Sequence, residues 1–175
     1  AANHFNQSVL LNLKINIDIE FLQYLVKQLL QQHDVLNSKF VRENNQWYQV
    51  HFDEIQESNF YSRLLSEGDV NSLDSSNKKN SLYQNLLEAQ LSLDIEKGQL
   101  VHFRLLNEIH SGDTKQSLYI VAHHLVVDGV SWRILMDDIN QILSAYEDMG
   151  NLPVLSMGAD LSDKTLSFKH WAQAL

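Results

Sequence analysis

The sequence contains no cysteine. Disulfides, thiolate nucleophiles and zinc–thiolate centres are therefore excluded. It also lacks any apolar run of about 18 residues, the length a membrane-spanning helix requires. The N-terminus has no basic stretch followed by an apolar core, so no signal peptide is visible. No Met opens the chain, as expected of a piece cut from something longer. Basic residues are scarce: 13 Lys and Arg stand against 22 Asp and Glu, for a formal net charge of −9. That balance argues against nucleic acid, whose phosphates repel such a surface, as the main partner. A cytoplasmic setting fits these absences.

What is present is ordinary for a soluble globular domain: 44% hydrophobic and 20% charged residues. The 175 residues suit one domain, long enough to bury about 70% of its unfolded-state surface. Ser8 to Leu13 reads as a strand. Asp18 and Glu20 then fall in the first turn of a helix, where carboxylates suit the positive end of the dipole. Leu22, Leu25, Val26, Leu29 and Leu30 continue that helix to about Gln32 with one apolar face. Gln46 to Phe52 is expected to be the second strand of a hairpin turned at Asn44-Asn45. Residues 66–81 are poor in apolar side chains and read as a mobile surface loop.

A second amphipathic helix follows, with Leu82, Leu86, Leu87 and Leu91 as its stripe. Leu100 to Leu106 alternates Val101, Phe103 and Leu105 against His102 and Arg104, the pattern of a half-buried strand. Ser111-Gly112-Asp113 turns this strand into an antiparallel partner. Trp132, Leu135, Ile139, Ile142, Leu143 and Tyr146 then share one helical face, ended by Gly150 and Pro153. A last short helix is expected from Ser167. The layout is an α/β two-layer sandwich, a mixed and largely antiparallel sheet with packed helices.

Chemistry concentrates in Val121-Ala-His-His-Leu-Val-Val-Asp-Gly-Val-Ser-Trp-Arg-Ile-Leu135. Tyr119 to Ala122 form a strand too apolar to face water on either side. His123 and His124 extend it, and adjacent strand side chains point to opposite faces, so the two imidazoles cannot share one task. Asp128 and Gly129 are expected to supply a turn, with Gly129 tolerating a positive φ or a close approach. Ser131 is placed to cap a helix beginning at Trp132. An isolated His is more often a hydrogen-bonded core residue than a catalyst. No other His has a spacing that suggests a metal, and adjacent His123 and His124 lack the i, i+4 geometry of a helical zinc pair.

The order His123-His124-x-x-x-Asp128-Gly129 resembles the HHxxxDG signature of condensation and epimerization domains of nonribosomal peptide synthetases. Val-Ser-Trp-Arg after the Gly looks like the epimerization branch, since peptide-bond-forming members more often carry Trp-Ser there. Asn3-His-Phe-Asn-Gln-Ser-Val-Leu-Leu11 resembles the opening of epimerization domains, and Ser167-Phe-Lys-His-Trp171-Ala resembles their SFKxWA segment. The resemblance implies a chloramphenicol-acetyltransferase-like fold, with residues 1–175 as the N-terminal subdomain and the C-terminal subdomain missing. It implies inversion of the Cα of an aminoacyl or peptidyl thioester. No cofactor is bound directly; the substrate rides on the 4′-phosphopantetheine of an upstream peptidyl carrier protein. Nucleic acid and membrane are not expected as partners.

On this resemblance His124 is the catalytic acid/base. His123 is structural, and Gly129 leaves room for the pantetheine arm. Asp128 could orient His124 or act as a base itself, while the family's motif Asp locks the turn through hydrogen bonds. Ser131 and Trp132 are substrate-channel candidates, although Trp132 also suits the core. His33-Asp-Val-Leu-Asn-Ser-Lys-Phe40 resembles the family's HExLRxxF segment, with Asn37 standing where members usually carry an Arg that pairs with the motif Asp. Asp128 must then be anchored by another group, Lys39 or a backbone donor.

Three other readings remain. A condensation domain would form peptide bonds with the same His124. A non-catalytic module would only dock a carrier protein. His123-x4-Asp128 also satisfies the short His-x4-Asp pattern of glycerolipid acyltransferases, which lacks support from a membrane-associating helix. The piece alone is expected to be inactive and to self-associate through the apolar surface its missing half would cover.

Overall fold

The computed structural model describes residues 2–52, 63–70 and 75–151, apart from the side chain of Ser75. Six strands and three α-helices are seen in that range: β1 (Asn6–Asn12), α1 (Ile19–Gln32), β2 (Ser38–Glu43), β3 (Gln46–His51), β4 (Leu65–Val70), α2 (Ser75–Leu91), β5 (Val101–His110), β6 (Asp113–His123) and α3 (Gly129–Asp148). The main sheet runs β1-β6-β5-β4, and β2-β3 forms a separate hairpin. β6 is antiparallel to both β1 and β5, whereas β4 is parallel to β5. The parallel pair needs a crossover, which α2 supplies.

Local chemistry explains most of these elements. Asp18 caps α1, accepting the Phe21 N–H at 2.7 Å. Phe21, Leu22, Leu25, Val26, Leu29 and Leu30 then bury one side of that helix. Asn44 and Asn45 adopt φ of 49° and 65°, and two left-handed residues in a row match the twist of a tight hairpin. Ser111 and Gly112, at φ 51° and 90°, turn β5 into β6. The larger core packs α1 and α3 onto the sheet face formed by Val101, Phe103 and Leu105 of β5 and Leu118, Ile120 and Ala122 of β6. The Phe21 ring stacks on Tyr146 with centroids 4.0 Å apart, joining α1 to α3. A smaller cluster of Val70, Ala89, Leu93, Leu106, Tyr119 and Val121 forms under α2 on the opposite face.

Three expectations need correction. The surface loop foreseen over 66–81 is instead strand β4 and the first turns of α2 where those residues are described. Its polar side chains are taken up by pairing: Ser66, Gly68 and Val70 lie on the α2 face, and Gly68 makes room for a side-chain cluster. A Cβ at Gly68 would come within 1.9 Å of Asn85 Oδ1, which accepts from Arg104. Leu91 is 59% exposed, outside the stripe assigned to it. β5 is buried on both faces rather than half-buried, because α2 covers the face carrying His102 and Arg104. The segment from Ser167 and Pro153 lie outside the described residues.

His102 shows how the polar face is satisfied. Its Nδ1–H donates to the Arg63 carbonyl at 3.2 Å, and Nε2 accepts from the Ser66 hydroxyl at 2.7 Å. Ser66 Oγ in turn accepts from Arg104 at 3.1 Å. Burial, aided by the Arg104 charge and opposed by the Arg63 hydrogen bond, pushes the imidazole down to about 4. The unfolded chain then binds this proton more readily than the native one, so acid favours unfolding. Stability is expected to hold above pH ~6.5 and to fall as the pH drops towards 4, by up to about 3 kcal/mol. Denaturant melts from pH 7 to 4 check this, and His102→Gln should flatten the fall in that window.

Candidate active site

The site lies where β6 stops. His123 is the last strand residue, and His124 begins a turn that ends in the N-terminus of α3. The ladder between β1 and β6 pairs Asn6 with His123 and Gln7 with Ala122. It is prolonged by the His124 N–H donating to the Phe5 carbonyl at 2.7 Å. This register sets the start of β1 beside both imidazoles.

The two histidines have separate surroundings. His123 is 2% exposed; its Nε2–H donates to the Ala2 carbonyl at 2.7 Å and its Nδ1 accepts the Leu125 N–H at 3.2 Å. Both nitrogens are thus used in tying the N-terminal segment to the turn. His124 is half-buried. Its Nδ1–H donates to the Val127 carbonyl at 2.8 Å, which leaves the lone pair on Nε2. That lone pair faces the Gln7 amide nitrogen at 3.1 Å. The Phe5 ring stacks on the imidazole, centroids 4.7 Å apart and planes inclined by 26°. A neutral imidazole with a defined basic nitrogen can accept a proton from a carbon or nitrogen acid and return it.

The turn and cap differ from the sequence-based expectation. Asp128, not Ser131, caps α3: its Oδ1 accepts both the Ser131 N–H and the Ser131 hydroxyl at 2.7 Å. The helix accordingly starts at Gly129 rather than Trp132. The Ser131 N–H, then its hydroxyl, hold the Asp128 carboxyl below the usual carboxylate range. This answers the question raised by Asn37. The anchor is a backbone donor with its own hydroxyl, and Lys39 forms no ion pair among the described residues. Asn37 itself is buried and donates to the Phe52 carbonyl at 3.3 Å.

Gly129 is not at positive φ, and a Cβ there would meet nothing within 4 Å. Backbone strain is therefore not why Gly129 is glycine, and the space beside it is open among the described residues. Trp132 is half-buried, and its indole N–H donates to Gln7 Oε1 at 2.9 Å. The side chains of Phe5, Leu125, Val130 and Ile134 are exposed in the same region.

Sequence reasoning did not single out Gln7 or Phe5, although both lie in the Asn3–Leu11 segment that carried part of the resemblance. The signal that would have found them is the antiparallel pairing of β1 with β6, and nothing in the sequence says which strand neighbours β6.

The chain is similar to known proteins in both sequence and fold. The condensation-domain family model matches residues 1–174. A linear gramicidin synthase of Brevibacillus parabrevis is 35% identical over 99% of this chain. A plipastatin synthase of Bacillus subtilis is 33% identical, again over 99% of the chain. The chain spans 3% and 6% of the length of those two proteins. Among solved structures, the epimerization domain from the third module of tyrocidine synthetase B superposes with a TM-score of 0.79 at 29% identity, covering 98% of this chain and 34% of that one. The starter condensation domain of rhizomide synthetase shares the fold at 12% identity and a TM-score of 0.69, covering 98% of this chain and 38% of that one. The α/β architecture is thus the chloramphenicol-acetyltransferase-like one expected, and the chain belongs to the condensation-domain family.

Proposed function

We propose that this chain is the N-terminal subdomain of an epimerization domain, in which His124 serves as acid/base at the Cα of a carrier-bound aminoacyl or peptidyl thioester. The observation that carries the reading is the His124 tautomer: with Nδ1–H committed to the Val127 carbonyl, Nε2 is the free-base nitrogen. In this reaction Nε2 takes the Cα proton and the electron pair passes into the thioester carbonyl as an enolate-like state. A second acid, which the C-terminal half would supply, then gives its proton to the opposite face of Cα, leaving His124 protonated and that acid as its conjugate base. A neutral imidazole is suited to such a transfer near neutral pH. The choice of this branch is supported by the 29% identity to a solved epimerization domain over nearly the whole chain. The Val130-Ser131-Trp132-Arg133 segment supports it as well.

The substrate would arrive on the 4′-phosphopantetheine of an upstream peptidyl carrier protein. The open space beside Gly129 offers the arm a route past the turn. Ser131 and Trp132 stand at the start of α3 beside this route. A second reading is condensation, favoured by the family model that matches the chain; His124 would then assist an attacking amine.

The test restores the C-terminal half and presents an L-aminoacyl or peptidyl carrier thioester in deuterated water. Mass spectrometry follows label at Cα. Deuterium that appears, and is lost in His124→Ala, is the expected result. Amide formation with a downstream aminoacyl carrier and no label would move the chain to the condensation branch. Carrier binding without either reaction would leave a docking module.

A further inference from the structure

We propose that Gln7 is a positioning residue for His124, kept in its working orientation by the Trp132 indole. The inference rests on the reading of His124 as the acid/base. The three links form one directed relay: Trp132 Nε1–H to Gln7 Oε1 at 2.9 Å, Gln7 Nε2–H to His124 Nε2 at 3.1 Å, and His124 Nδ1–H to the Val127 carbonyl at 2.8 Å. Its polarity is forced at both ends. An indole nitrogen can only donate, and a backbone carbonyl can only accept. The Gln7 amide must therefore present its oxygen to Trp132 and its NH2 to His124.

Two consequences follow for the base. The imidazole is pinned at both nitrogens, so the direction of the Nε2 lone pair is set before substrate arrives. A proton on Nε2 would meet the Gln7 N–H head on, and turning the amide over would sacrifice the Trp132 bond. The relay therefore presents Nε2 as an acceptor. Gln7 must move off Nε2 when a Cα–H takes its place. The distinctive Trp of the Val-Ser-Trp-Arg segment thereby acquires a task that is neither core packing alone nor contact with substrate. Gln7 reaches this position because β1 pairs it opposite Ala122, two residues before His124.

Gln7→Glu tests the relay without changing side-chain shape. The carboxylate can still accept from Trp132 but cannot donate to His124. Long-range 15N–1H spectra of the full chain at neutral pH should show His124 protonated on Nδ1 and bare on Nε2. In Gln7→Glu, Nε2 should carry a proton. In the complete domain, with the C-terminal half restored, kcat for Cα exchange should fall by up to about 100-fold, the scale of a misplaced reacting group, while KM stays near its original value. Trp132→Phe keeps an aromatic side chain but removes the N–H donor, which frees the amide to turn over, and should lower kcat in the same sense by less.

An unchanged His124 15N pattern in Gln7→Glu, or full kcat in both variants, would overturn the relay. Full turnover by His124→Ala would instead overturn the reading beneath it, whatever the spectra of the Gln7 variant show.

Discussion

Replacing His124 with Ala is expected to remove Cα exchange in the complete domain, by about 10²–10⁴-fold, the contribution of a positioned general acid/base. The fold should survive the change. His124 is half-buried, sits after the last residue of β6, and among the described residues its side chain hydrogen-bonds Gln7 and one turn carbonyl and stacks on the exposed Phe5 ring. His123, by contrast, ties Ala2 and Leu125 together from a buried position, so His123→Ala should lower stability as well as activity. Thermal melts alongside deuterium incorporation separate the two. A folded His124→Ala variant that exchanges at the normal rate would remove the residue from the mechanism. It would also remove the condensation alternative, which uses the same nitrogen.

The second large effect concerns the scaffold. Phe21 is fully buried, and its ring lies against Tyr146 at a centroid distance of 4.0 Å and an interplanar angle of 20°. It joins α1 to the C-terminal half of α3 within the larger core. Phe21→Ala should cost about 3–5 kcal/mol, combining lost apolar burial with a cavity that two packed helices cannot close. Phe21→Leu, which refills most of that volume, should recover much of the loss. Chemical denaturation reads both, with an unchanged slope expected if the variants remain two-state. A loss below about 1 kcal/mol for the Ala variant would mean that the helices repack freely, contrary to the close-packed character of such cores. The lower turns of α3 are fixed separately through Asp128 and Trp132. The His124 tautomer should therefore outlast this destabilisation.

The sequence by itself determined the elements whose cause is local. The apolar spacing from Leu22 to Leu30 and the acidic start at Asp18 made α1 readable, and the Asn44-Asn45 and Ser111-Gly112 turns defined both hairpins. Local period and turn chemistry act within a few residues, so they survive without knowledge of neighbours. The stretch from His123 to Gly129 likewise pointed to the family and to the candidate site.

What the tertiary structure alone decided depends on which segments become neighbours. β4 looked like a loop because its polar residues find partners only when parallel pairing with β5 sets Ser66 beside His102 and Arg104. Both faces of β5 are buried because α2 crosses back over the sheet, a fact that alternation within β5 could not contain. The cap of α3 passed from Ser131 to Asp128 because the preceding turn, rather than helix propensity, sets the entry angle. Gln7 joined the site for the same reason: more than a hundred residues from His124 in sequence, it is delivered by the antiparallel register of β1 on β6. Long-range pairing is opposed by chain entropy and rewarded by burial of the whole sheet, so no single stretch carries its signature.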